Sequence, residues 1–148
     1  MPFVPRLFLK TGLIYLALTF LVGAILLTLE ALGRPIPFVI GIEHAHMGFI
    51  GWLVNTVIGV ALWLLPLNRR AFPETQGRYP ETLAKIAFVL LNVGLILRLA
   101  IEPAYVMNPA AWEPTTLIAA AAAQVAAIAI VAWIAWKRVF APPLRPEV

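Results

Sequence analysis

The sequence predicts an all-α integral membrane protein, a four-helix bundle with N- and C-termini on the cytoplasmic side, and three observations carry that expectation. The first is composition: of 148 residues, 62% are hydrophobic and 12% charged, and the mean hydropathy is +0.92. Soluble domains hold about twice that share of charge, and disordered chains have the opposite balance. The second is four apolar stretches of the length that crosses a bilayer, about 20 residues. The third is a set of basic residues that falls on alternate connections. Together they imply one multi-pass domain, 1–148, in an inner or plasma membrane.

The first stretch, 11–32, follows Arg6 and Lys10 and is longer than the apolar core of a secretory signal, so it reads as a retained span. The second, 38–67, opens after Pro35 and Pro37 and closes at Pro66, with length enough to tilt. The third covers 82–101 and the fourth 115–136. Pro80, Pro103, Pro109 and Pro114 punctuate the connections. The alanine run at 119–123 reads as a small-residue packing face.

With the N-terminus inside, the cytoplasmic side receives Arg6, Lys10, Arg69, Arg70, Arg78, Lys85, Lys137, Arg138 and Arg145, and the outer side keeps Arg34 and Arg98. That asymmetry follows the positive-inside rule. It also accounts for the basic pI without invoking nucleic acid. The absence of cysteine excludes disulfides, thiolate metal sites and an iron-sulfur cluster held by this chain. No phosphate-cradling glycine loop, zinc-protease helix or nucleophile elbow is present.

Ionisable groups inside a span are costly and mark candidate sites. Here they are Glu30, Glu43, His44, His46 and Arg98, joined by Asn55, Asn92 and Gln124. Arg98 lies about 20 Å along its helix from Lys85, so it approaches the outer interface where the histidines also fall. Residues two apart on a helix point about 200° away from each other, so His44 and His46 cannot easily serve one ion. At regular helical spacing His44 shares a face with Met47, Gly48, Gly51 and Asn55, with Gly59 at its edge. His46 shares a bulkier face with Phe49, Ile50 and Leu53. A glycine-floored groove permits close helix packing or a flat ligand, and a neutral imidazole at its top suits the iron of haem.

The segment 43–67 resembles the second transmembrane helix of the catalytic subunit of the haem-copper oxidase and nitric oxide reductase superfamily. The similarity rests on His44, 22 residues before Pro66 and 11 before Asn55, and on the closing run Gly59-Val-Ala-Leu-Trp63-Leu-Leu-Pro66. In that family a histidine near the outer end of this helix ligates the low-spin haem. The resemblance implies a small four-helix relative that binds haem b through His44, with His46 a second candidate. Its role would be respiratory electron transfer or binding of nitric oxide or oxygen. The later histidines that hold a binuclear centre are missing, so one copy carries no complete catalytic centre.

The other axial position has three candidate occupants: a second copy in a homo-oligomer, Met47 or Met107, or a small gas ligand. Arg98 and Arg34 are the expected partners of the haem propionates. Two readings compete. His44, His46 and Met47 offer donors that suit copper, and a cofactor-free accessory subunit of a respiratory complex would use the small-residue faces for packing.

Overall fold

The computed structural model describes residues 1–139, all in helices, turns or short connections. Four helices are long and apolar enough to cross a membrane: α1, Phe3–Ala31; α2, Phe38–Leu64; α3, Glu81–Met107; and α4, Glu113–Val139. They run up, down, up and down. Helices α1 and α2 form one antiparallel hairpin and α3 and α4 another, joined mainly through α2 and α3. The expected cytoplasmic charge of Arg145 lies outside the described residues.

The helix ends depart from expectation for identifiable reasons. Helix α1 begins at Phe3 because Pro5 sits in the first turn, where a helix has no partner for the missing N–H. Its other end is a Schellman turn. Gly33 takes φ +68°, its N–H donates to Glu30 O, and the Arg34 N–H donates to Leu29 O. Helix α2 stops at Leu64 rather than at 67 because Leu65, ahead of Pro66, turns to the extended ψ of 142° that a following proline favours. Helix α3 passes through Pro103 and ends at Met107. At α4 the buried Glu113 carboxylate accepts the Ala110 N–H, 2.6 Å away, and fixes the start.

Pro66 leaves the Leu62 carbonyl without its helical donor, and a distant residue supplies one. Arg138, 1% exposed, donates to Leu62 O at 2.8 Å and to Pro66 O at 3.1 Å. Its remaining nitrogen donates to Leu65 O, and its guanidinium lies 5.7 Å from the centre of the Tyr79 ring. One of the basic residues counted toward the expected orientation thus also caps the end of α2.

Helices α1 and α2 meet through a ladder in which one side of each rung is glycine. From one end to the other, Leu9 packs on Gly59, Thr56 on Gly12, Tyr15 on Gly51, Thr19 on Gly48 and His44 on Gly23. A Cβ on Gly51 would stand 2.5 Å from the Tyr15 ring, and one on Gly12 would stand 2.6 Å from Thr56 Oγ1. Lipid offers no hydrophobic drive between helices, so such close approach is what holds them together. The glycine face of α2 is therefore filled by α1.

Helix α2 is not regular. Met47–Val54 forms a π-helical stretch, closed by Asn55, whose side-chain amide donates back to the carbonyls of Ile50 and Gly51. The same amide pairs reciprocally with Asn92 of α3, at 3.2 and 3.1 Å. The wider turn lets Met47, Gly51, Asn55 and Gly59 all turn inward. Gln124 stands apart from the asparagine pair and packs beside Gly94. The alanine run divides: Ala120 and Ala123 face Gly94, whereas Ala119, Ala121 and Ala122 are exposed.

Two outcomes follow for thermal unfolding in detergent. Gly51→Ala should cost roughly 1–3 kcal/mol, because the near end of the Tyr15 side chain cannot swing away. Gly41→Ala, whose Cβ meets nothing within 4 Å, should be neutral or stabilise by up to about 1 kcal/mol through helix propensity. A double-mutant cycle on Asn55→Ala and Asn92→Ala should return a coupling of about 1 kcal/mol, and an additive result would mean that the pair is not formed.

Candidate functional site

The polar residues at the end of the bundle that holds the α1–α2 turn separate into two groups on opposite sides of α2. On the α3 side, Glu43 is 6% exposed and His46 lies one turn further along. His46 Nδ1 approaches Glu43 Oε1 to 3.4 Å, yet neither Glu43 oxygen nor His46 Nδ1 has a hydrogen-bond partner. Across the interface, Arg98 Nε donates to Glu102 Oε2 at 2.7 Å, and both side chains are half-buried. The Glu102 carboxyl faces Glu43, and Arg98 is close enough to act on Glu43 and His46. Two carboxyls, one imidazole and one guanidinium thus form a single cluster at the end of the α2–α3 interface.

Helix geometry explains the grouping. Glu43 and His46 are three apart on α2 and Arg98 and Glu102 four apart on α3, so each pair shares a face. The antiparallel crossing brings both faces to the same depth. Glu102, one residue past the expected third span of 82–101, was not among the candidates drawn from the sequence. Its spacing of four from Arg98 was the available signal.

His44 turns the other way. Its ring rests on α1, where a Cβ on Gly23 would stand 3.1 Å from His44 Cε1 and 3.4 Å from Nε2. The ring borders a groove of about 390 Å³ lined by Thr19, Phe20, Gly23, Ala24 and Leu27 of α1. His44 Nδ1 is buried and has no hydrogen-bond partner, so the orienting role that sequence offered to Glu43 is not filled by it. The α1 wall was also missed from sequence, although Gly12 and Gly23 lie three turns apart on one helix face.

The remaining candidates are dispersed. Met47 is buried beside Tyr15 and Leu95, away from the groove. Gly48 and Gly51 lie under Thr19 and Tyr15, and Asn55 is committed to Asn92. Met107 is exposed at the end of α3. Arg98 belongs to the Glu102 cluster rather than to the groove. Arg34 sits, exposed, in the turn that joins the two helices bordering the groove. Among the described residues no group of three or more His, Asp or Glu side chains is arranged to hold a metal ion.

Comparison with protein-family models, with curated proteins and with solved structures gives no match for this chain.

The cluster is interdependent, which makes its energetics testable. Arg98→Leu leaves two facing carboxyls without their cation and should cost roughly 1–3 kcal/mol, between the values for exposed and fully buried ion pairs. Adding Glu102→Gln should recover most of that loss in the same unfolding measurement. A second change that only adds to the damage would show the two residues to be independent.

Proposed function

We propose that this chain is a membrane b-type haem protein related to the haem-copper oxidase core, with His44 as an axial ligand, serving respiratory electron transfer or the binding of nitric oxide or oxygen. The observation that carries the reading is the setting of His44: an imidazole without a hydrogen bond at Nδ1, bordering a groove whose near wall is a glycine. A Cβ on Gly23 would meet the His44 ring at 3.1 Å, so the glycine is what lets the imidazole sit at the edge of the groove, where a flat ligand could reach it. The helix resemblance around His44 and Pro66 points to the same residue.

Bound haem would supply a one-electron iron couple, with gas binding available where one axial position stays open. The chain's own contributions are narrower. His44 holds the iron. Thr19, whose hydroxyl is turned to Tyr15 O at 2.7 Å, presents its methyl to the α2 backbone at Gly48 and keeps that wall apolar. Phe20 and Leu27 give the groove its apolar lining. Arg34, held by the Schellman turn, is the cation for the propionates, which favour a guanidinium near the interface.

The copper reading is weaker because its three donors diverge: His44 faces α1, His46 faces α3, and Met47 is packed into the interior. A cofactor-free accessory subunit remains the outcome to set against haem.

The decisive experiment is the reduced-minus-oxidised spectrum of purified protein. His44→Ala should abolish the Soret band, whereas His46→Ala should keep it. Arg34→Gln should lower haem retention several-fold, while Arg98→Leu should leave the spectrum unchanged. A normal haem spectrum in His44→Ala would overturn the assignment, and a wild-type protein without haem would favour the accessory role.

A further inference from the structure

The groove at His44 has one wall. Helices α1 and α2 supply everything that lines it, and among the described residues no second histidine or methionine reaches it. His46 is held on the α3 side near Glu43, Met47 is buried between Tyr15 and Leu95, and Met107 ends α3. The chain's remaining methionine, Met1, precedes the start of α1 at the opposite end of the bundle. A planar ligand seated against His44 would therefore show its second face to whatever covers α1. Within the chain that face is bare: the most apolar 18-residue window of α1 is only 11% buried, and Phe20, Leu21 and Leu27 all stand exposed.

We infer that the site is completed by a second copy of this chain, whose own His44 binds the other face of one shared haem. This rests on the haem reading above. Two copies inserted with the same topology can form a closed pair only about an axis along the membrane normal. That operation keeps each residue at its own depth, so the two His44 side chains meet at one level. His46 lacks this option because the α3 side of α2 is already covered. Small residues beside the ring, Gly23 and Ala24, leave room for the shared ligand between the two copies. The pair would have a six-coordinate iron and one haem for each two chains.

The chain has no cysteine, so single cysteines can report the contact without background. Leu13→Cys, exposed on the same stripe of α1 as Phe20 and about three turns from Ala24, should give a disulfide-linked dimer on mild oxidation in native membranes, and Val89→Cys, exposed on α3, should not. Purified protein should hold one haem per two chains, show a low-spin spectrum and fail to bind carbon monoxide. Pairs assembled from one wild-type and one His44→Ala chain should become five-coordinate and acquire carbon monoxide binding. One haem per chain with carbon monoxide binding, or crosslinking at Val89→Cys but not at Leu13→Cys, would overturn the shared site while leaving His44 as a ligand. Protein with no haem at all would instead remove the reading on which the inference rests.

Discussion

Close approach of α1 and α2 is the constraint on which the rest of the molecule depends. In lipid, two apolar helices gain nothing by hiding from the solvent, because the solvent is as apolar as they are. What remains is contact between atoms, and contact improves as backbones come nearer. The five rungs of the ladder each set a side chain of one helix into the bare backbone of the other. That arrangement fixes the rotation of α2, and from the rotation follows the placement of residues in its first turns: His44 toward α1, Glu43 and His46 toward α3.

The polar residues then divide by the number of partners each can reach. Asn55 satisfies its amide three times over, with two carbonyls of its own π-helical turn and with Asn92. The cluster at Glu43 is different in kind, since its carboxyl is enclosed yet makes no hydrogen bond. Enclosed charge without full compensation is expensive in a low-dielectric setting. The packed end of the bundle, around Phe8, Leu62, Ala87 and Ile134, has no such groups apart from the satisfied Arg138. The molecule concentrates its tight apolar packing at one end and its unsettled polar chemistry at the other.

Much of this was legible in the chain itself. The four spans follow from the distribution of apolar residues, and the divergence of His44 from His46 follows from a separation of two on a helix. The π-helical turn was not legible, because it depends on a side chain of α2 finding Asn92 on α3. For the same reason the glycines of α2 read equally well as packing surface or as ligand floor. Only the position of α1 decides that Gly48 and Gly51 are packed while the flank of His44 stays open. Glu102 and the capping role of Arg138 were hidden because each acts on a helix far away in sequence, 59 residues from Glu43 and 72 from Pro66 respectively.

The grip of Arg138 on the end of α2 also has a meaning for how the protein is made. Helix α2 leaves the ribosome well before α4, and until Arg138 arrives three carbonyls at its Pro66 end have only water or headgroups to bond. A backbone so exposed cannot settle into the hydrocarbon. The Pro66 end of the second span must therefore stay at a membrane surface until the last helix brings Arg138 to it. Arg138 acts as a latch that closes the bundle, making the earliest hairpin answerable to the final one.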